Sequence, residues 1–445
     1  MGKEPAQRVI GVALLGCGVV GTGVAQILRQ QRELIRRRTG LVFDIRHVVV
    51  RDPKKHRPGL EGLHFTDDAV EAINDPATSV VVELVGGIKP AGLFVERALR
   101  LGKPVVTANK SLLSESGPEL FALARKQHTC IGFEASCAGG IPIINALIHG
   151  FAANRIDALV GIVNGTCNYI LTRMTRNGLT YERALAEAQE AGFAEADPKL
   201  DVSGRDAAQK LALLATLAFN ARVTEKDIHI EGIDELREAD LKFAGELGYV
   251  VKLLAIAERE QDQVSLRVHP TLVHRNDLLA EVSGSFNAVS VYGDAVGHAL
   301  FYGRGAGRQP TASAVVSDLI QVGLGLTALA FRQLNLLPDG NSAIKLLPFA
   351  DLRSRYYLRL LARDEPGVLA QVTKVLGNHR ISLSAILQHE SSEGQYVPVV
   401  ITTHRAREGD IQKALRGLNR LTTLKPPAVC LRIIDPPKEF AGNGN

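Results

Sequence analysis

The sequence predicts an α/β chain in three parts, and three observations carry that prediction. The apolar strand Arg8–Leu15 runs directly into Gly16-Cys17-Gly18-Val19-Val20-Gly21 and then into a helical pattern from Thr22 to Arg36. Strand–helix alternation continues to about residue 133, and strands dominate from 264 to 302. Beyond a stretch rich in Asn, Pro and Gly, a strand-helix-strand-strand-helix-strand pattern fills 351–435. A G-x-G-x-x-G between a strand and a helix allows a tight turn and the close approach of a pyrophosphate to the helix N-terminus. The first part, 1–133, is therefore expected to be a Rossmann-like dinucleotide-binding domain. The second, 134–304, is expected to be an α/β substrate and dimerisation domain with a mixed sheet. The third, 351–435, is expected to be a ferredoxin-like βαββαβ domain.

Composition bounds the function. The 445 residues suffice for two or three domains, each with its own core. A hydrophobic content of 46% with 22% charged residues is ordinary for a soluble globular protein. Trp is absent and aromatics are only 5%, which argues against a nucleic-acid stacking surface. The net charge of +5 is spread along the chain. Its densest cluster, Arg32 with Arg36-Arg37-Arg38, closes the first helix, where cations suit the C-terminus. Five cysteines, an odd number without a C-x-x-C pair, read as reduced thiols of a cytosolic protein. There is no apolar leader, and no apolar run nears the ~18 residues of a membrane span, so a cytoplasmic location without a membrane partner is expected.

In the glycine loop, Gly16, Gly18, Val19, Val20 and Gly21 are the expected cofactor contacts. The next strand, Phe43–Val50, ends at Arg51-Asp52. An NAD enzyme wants an acidic residue at that tip for the ribose. Arg51 stands there instead, with Lys54, Lys55 and Arg57 behind it, and a guanidinium suits a 2′-phosphate. NADP(H) is thus preferred, while Asp52 keeps NAD(H) open. Two further strands lead into Gly86-Gly87 and into Ala108-Asn109-Lys110. Ligands of a doubly wound sheet sit at the C-terminal strand ends. Lys110 is there, either as an exposed loop lysine or facing cofactor and substrate. Residues 134–142 form a small-residue loop, and Val160–Thr166 reads as a strand entering a tight turn. Gly303–Gly307 reopens a glycine loop, followed by a helix from Thr311 to Leu329. That returning segment, about 305–330, is expected to complete the first domain. Residues 333–350 read as a linker, and 436–445 as a disordered tail.

The stretch Gly192–Lys210 concentrates the chemistry, with Glu195, Asp197, Asp201, Asp206 and Lys210. Asp206 and Lys210 are i and i+4, on one helix face. An acidic loop with a surface ion pair would look like this. Yet the helix continues Leu211-Ala212-Leu213-Leu214-Ala215, too apolar to face solvent. A lysine opening a buried helix among carboxylates is a candidate proton donor.

The segments GCGVVGTG (16–23), TANK (107–110), EASCAGGIPII (134–144), GIVNGTCNYIL (161–171), GFAEADPKLDVSGRDAAQK (192–210) and GRGAGRQPTASAVVSD (303–318) resemble the homoserine dehydrogenase family with a C-terminal ACT domain. The resemblance covers nearly the whole chain. It implies reversible NAD(P)H-dependent reduction of L-aspartate 4-semialdehyde to L-homoserine, on the branch toward threonine and methionine. Lys210 matches the family lysine that stabilises and protonates the carbonyl oxygen, with Asp206 holding it and Lys110 as a second participant. Glu195 and Asp201 match substrate-binding carboxylates, and Gly165, Thr166 and Gly305 fall in the family's substrate and cofactor loops. The 134–144 loop resembles a monovalent cation site. Glu134 would support it, and the carbonyls of Cys137, Gly139 and Ile141 would suit Na⁺. Cys137 replaces the usual valine, and Cys167 a Thr or Ser. The ACT resemblance implies an amino-acid effector, most often L-threonine, contacted by Asp364, Gly367, Val368, Ile381 and Ser382. The same domain could instead serve only self-association, as a homodimer or homotetramer. Two rival functions remain. One is a phosphorylating aldehyde dehydrogenase with Cys137 as nucleophile; the other is a non-catalytic sensor.

Overall fold

A computed structural model describes residues 7–334, 344–389 and 395–435. The chain folds as two compact units. The first comprises Met1–Asp157, Ala208–Asp227 and Asn287–Ile344; the second comprises Ala158–Ala207, Ile228–Phe286 and Lys345–Asn445.

The first unit holds a six-stranded parallel sheet. Its strands are β1 (Arg8–Leu15), β2 (Leu41–Val49), β3 (Phe65–Thr66), β4 (Val80–Glu83), β5 (Val105–Thr107) and β6 (Ile131–Gly132). Their order, β3-β2-β1-β4-β5-β6, is that of a doubly wound dinucleotide fold. Central strands of such a sheet are covered on both faces, so they are apolar throughout. Val80-Val81-Val82 obeys this, and all three are buried.

Two expected helices are each broken. Thr22–Arg36 becomes Val19–Gln30 and Arg32–Thr39, interrupted at Gln31 and closed by left-handed Gly40 (φ 73°). The returning Thr311–Leu329 becomes Arg308–Leu324 and Leu326–Gln333, broken at Gly325 (φ 82°). Glycine adopts that conformation without the Cβ penalty, and so ends a helix cleanly. The returning helix packs on the first helix at Gly23, where a Cβ would stand 2.9 Å from that of Ala312.

Residues 134–157, 208–227 and 287–304, expected in the substrate domain, fold with this first unit. Glu134 N–H ties the first segment to Asp318 on the returning helix at 2.8 Å, and backbone contact holds 134–157 to 287–305. A Cβ on Gly139 would lie 2.5 Å from the Gly305 carbonyl, and Gly140 N–H donates to Arg304 O at 3.0 Å.

In the second unit, Tyr249–Glu260 pairs antiparallel with both Gln263–His274 and the Ala158–Gly161 part of the strand Ile156–Ile162. The C-terminal elements are Arg353–Arg363, helix Val368–Asn378, Leu383–Gln388, Tyr396–Thr403, helix Glu408–Leu418 and Leu424–Ile433. Taken in space, the strands run 424–433, 353–363, 396–403, 383–388, the ferredoxin-like order expected of βαββαβ. Tyr356, Leu358, Leu360, Val372, Leu376, Ile401, Ile411 and Leu418 fill its core.

This module is not a free-standing domain. Thr271 and Leu272 pair in parallel with Arg432 and Ile433, merging its sheet with that of the substrate region. Nor is the described end of the expected 333–350 linker loose. Leu346 bridges Val264, Lys345 pairs with Asp262 at 2.7 Å, and Phe349 stacks on His229 with centroids 3.4 Å apart. The remainder, 335–343, and the expected tail 436–445 lie outside the described residues. Among those described, no single helix is long and apolar enough to cross a membrane.

Candidate active site

The glycine loop divides its labour. Gly16 has φ 98°, and a Cβ there would meet Leu84 O at 2.6 Å; at Gly21 a Cβ would meet Gly16 O at 2.2 Å. Those two glycines are demanded by the fold. Gly18, which caps the helix start, faces open space: a Cβ there would find nothing within 4 Å. No side chain caps this helix, so its first N–H groups point outward at a ready anion site.

At the tip of β2, Asp52 accepts from Lys54 N at 3.0 Å, and Arg57 donates to the carbonyls of Lys55 (2.8 Å) and Asp52 (3.1 Å). Those groups stitch their own turn together. Arg51 is exposed and makes no hydrogen bond or ion pair among the described residues.

Lys110 opens the helix Lys110–Lys126, and a buried network fixes that start. Glu83, fully buried at the end of β4, accepts from Val85 N (2.8 Å), Gly86 N (3.0 Å) and Thr107 Oγ1 (2.7 Å). Thr107 Oγ1 accepts from Asn109 N at 3.0 Å; the Asn109 side chain donates to Gly87 O at 2.6 Å and caps the helix through Leu112 N at 3.1 Å. Ser111 then donates to Gln209 at 3.0 Å. The residues following Lys110 and preceding Lys210 are thus bonded, which brings the two lysine-bearing helices together in the first unit. Glu83 and Asn109 were not singled out by sequence reasoning. The available signal was a lone acid closing an otherwise apolar buried strand.

In the 134–144 loop, Ala138 (φ 54°) and Gly139 (φ 45°) make a left-handed turn. Glu134 accepts from Ile144 N (2.9 Å), Asn145 N (2.8 Å) and the Asn145 amide, so its carboxylate braces the turn. Burial pushes its pKa up. Asp318, which accepts from Glu134 N at 2.8 Å, is pushed well up by burial and then by the Glu134 charge. Gly305 packs against the side chain of Asn287, whose buried carbonyl oxygen has no hydrogen-bond partner among the described residues. Among those residues no group of His, Cys, Asp and Glu is arranged to hold a metal, so a cation here would rest on carbonyl oxygens. Cys137 is 0% exposed, which denies it the access a nucleophile needs.

In the second unit one residue gathers the acids. Asn164 caps the helix Gly165–Asn177 through Cys167 N at 2.8 Å, and its Nδ2 donates to Asp201 at 2.7 Å and to Asp206 at 2.8 Å. Thr166 donates to Phe193 O at 2.6 Å, tying this helix start to the loop that carries Glu195. The buried Cys167 thiol donates to Asp201 O at 3.2 Å, so it packs inward and supports the carboxylate's backbone. Glu195 is exposed. Asp197 is exposed too, bonded only to the nearby Lys199 N at 3.3 Å among the described residues, and belongs to the turn. Asp206 is 5% exposed, and Leu211 to Ala215 are buried, which removes the surface ion-pair reading. One helix, Arg205–Phe219, carries both Asp206 and Lys210, a turn apart.

The expected effector residues do not converge within one chain. Asp364 accepts from Gln388 at 3.1 Å, near Gly367 and Val368 at the helix start. Ile381 and Ser382 precede the strand Leu383–Gln388 at its other end. A strand of that length separates the two groups by about 20 Å.

Comparison with known proteins completes the description. Residues 142–320 match the family described as "Homoserine dehydrogenase", 16–134 match "Homoserine dehydrogenase, NAD binding domain", and 356–420 match "ACT domain". A homoserine dehydrogenase of Pseudomonas aeruginosa is 42% identical over 435 residues, covering 96% of this chain and 99% of that protein. A crystal structure of a homoserine dehydrogenase from Thiobacillus denitrificans superposes with a TM-score of 0.91 at 42% identity, covering 97% of this chain and 99% of the other. A hyperthermophilic archaeal homoserine dehydrogenase, solved in complex with NADPH, shares the fold at 24% identity with a TM-score of 0.61, covering 71% of this chain and 98% of that one.

Proposed function

The chain belongs to the homoserine dehydrogenase family of NAD(P)-dependent oxidoreductases acting on a CH–OH group, and on that premise we propose how its residues perform and regulate the reaction. The reaction is the reversible reduction of L-aspartate 4-semialdehyde to L-homoserine in threonine and methionine biosynthesis. The observation that carries the assignment is the Asn164 clamp that joins Asp201 to Asp206, the latter on the helix that presents Lys210.

When bound, the dinucleotide supplies or accepts the hydride. The open space at Gly18 and the uncapped helix start fit its pyrophosphate. Arg51 holds the 2′-phosphate, so NADP(H) is preferred over NAD(H). As negative charge develops on the aldehyde oxygen, the Lys210 ammonium stabilises it and delivers a proton. Asp206 keeps that ammonium charged and oriented. Lys110, fixed by the Glu83 network, assists. Glu195 and Asp201 receive the substrate's ammonium group, with Gly165 and Thr166 shaping the loop beneath. Na⁺ fits the 134–144 turn. The carbonyls of Cys137, Gly139 and Ile141 and the unpartnered Asn287 oxygen offer the neutral hard ligands it takes. It steadies the loop and takes no chemical part.

The C-terminal module binds an amino-acid effector, L-threonine, and inhibits. Because Asp364, Gly367 and Val368 stand apart from Ile381 and Ser382 in one chain, a complete effector site takes one group from each of two modules. The edge strand Leu383–Gln388, with Ile386 44% exposed, supports such pairing. A cytoplasmic homodimer or homotetramer follows.

The test is NADPH consumption by the purified protein with L-aspartate 4-semialdehyde, with and without millimolar L-threonine. Turnover that falls with threonine is expected. Turnover indifferent to threonine removes the regulatory half. NADPH binding without turnover would leave only the sensor.

A further inference from the structure

A buried charge cluster joins the last strand of the C-terminal module to the substrate region. Arg432 is 3% exposed and held between two carboxylates. It donates to Glu408 at 2.9 and 2.8 Å and to Glu231 at 2.7 and 2.9 Å, bidentate on both sides. Phe349 lies 4.8 Å from its guanidinium, and His229 holds Glu231 at 2.7 Å. A planar five-donor fork is the side chain that can satisfy two carboxylates at once.

From Glu231 the contacts lead toward the acids of the site. Ile233 N–H donates to Val202 O at 2.8 Å. A Cβ on Gly232 would stand 2.4 Å from Val202 O and 2.8 Å from the Ser203 Cα. A Cβ on Gly204 would stand 3.2 Å from Glu231 O. Two backbone segments, 231–233 and 202–204, therefore press together with a glycine on each side. Segment 202–204 is the link between Asp201 and Asp206, the pair that Asn164 clamps.

We propose that Arg432 and Glu231 are positioning residues for the site carboxylates Asp201 and Asp206. They set the 202–204 segment, and with it the spacing of Asp201 and Asp206, from the C-terminal module. This rests on Asp201 belonging to the substrate site. A second pair, half-buried Arg359 with buried Asp240 at 2.6 and 3.0 Å, also ties the module to the substrate region, but it engages the helix Glu238–Glu246 instead of the 231–233 segment. It is the matched control.

The experiment compares Glu231→Gln, Arg432→Lys, Arg359→Lys and Asp201→Asn in the full-length enzyme. It measures melting temperature and separate Michaelis constants for L-homoserine and NADP⁺. Glu231→Gln keeps the shape and one acceptor oxygen but breaks the bidentate pair with Arg432, so it carries the test if Arg432→Lys does not fold. The expected result is an L-homoserine KM raised about 2- to 30-fold by Glu231→Gln and Arg432→Lys, the range of positional coupling. The NADP⁺ KM should stay put, and Arg359→Lys should lower the melting temperature alone. If Glu231→Gln lowers the melting temperature while leaving the L-homoserine KM unchanged, and Asp201→Asn still raises it, the positioning role is overturned. If Asp201→Asn itself leaves that KM unchanged, the placement of the substrate site falls, and the proposal with it.

Discussion

The glycine loop of the first unit and the acid cluster of the second do comparable jobs by opposite means. The loop is backbone: Gly16 and Gly21 are fixed by carbonyls a few ångströms away, and Gly18 is left open for a ligand. The cluster is side chain: Asn164 reaches Asp201 and Asp206 across 37 and 42 residues of sequence. A site made of consecutive residues carries its geometry in its own spacing. A site gathered by tertiary contact depends on a residue whose local pattern is only that of a helix cap.

Four changes would break or sharpen that contrast. The largest effect is expected from Lys210→Ala, the end point of the gathered site. Turnover should fall by ~10²–10⁴, the usual scale for an acid–base group, while NADPH binding by fluorescence titration persists. Asn164→Ala comes next. It strips the shared donor from two acids and the cap from the helix, so the KM for L-homoserine should rise roughly tenfold or more, with about 1 kcal/mol of stability lost. Asn164→Asp keeps the cap but sets a third carboxylate against the other two. It should therefore raise that KM too and, through like-charge repulsion among buried acids, cost more stability than the alanine variant. If both variants leave the KM for L-homoserine unchanged, the gathering role of the amide is wrong.

The third change contrasts glycines within the loop. Gly21→Ala collides with backbone and should cost several kcal/mol, on the order of a core overpacking defect. Gly18→Ala should leave the melting temperature within the ~0.5 kcal/mol range of neutral substitutions and raise the KM for NADPH. Equal melting temperatures would erase the distinction. The smallest effect is expected from Arg51→Ala, an exposed contact. The KM for NADPH should rise about three- to tenfold, with that for NADH barely moved; equal changes would place the 2′-phosphate elsewhere.

Legibility in the sequence followed the same divide. The strand–glycine–helix start, the strand–helix alternation of the first domain and the βαββαβ pattern all rest on local periodicity, and all could be read directly. The breaks at Gln31 and Gly325 could not, because a lone residue in a helical pattern rarely declares whether it interrupts. Lys210 with Asp206 was legible because i and i+4 share a face. Asn164, Glu83 and Gln209 were not, since each has a decisive partner distant in sequence: Asp201 and Asp206, Thr107, and Ser111. The loop 134–142 looked like part of the substrate domain by its change in composition. Yet its glycines place it against Gly305 in the first unit. Likewise the C-terminal module read as separate, because nothing in the pattern of strand 424–433 announces a parallel partner at Thr271 and Leu272. Cys137 and Cys167 each departed from a family pattern, and Cys137 offered a rival nucleophile. Burial of both, and the bond from Cys167 to Asp201 O, make them packing residues.

The central claim is that Lys210, not Lys110, delivers the proton. The most direct test is chemical rescue: NADPH oxidation by Lys210→Ala and Lys110→Ala, each with L-aspartate 4-semialdehyde and increasing methylammonium. Rate recovery that rises with methylammonium in Lys210→Ala alone is the expected result. Recovery in Lys110→Ala alone would contradict it and move the proton to the other helix.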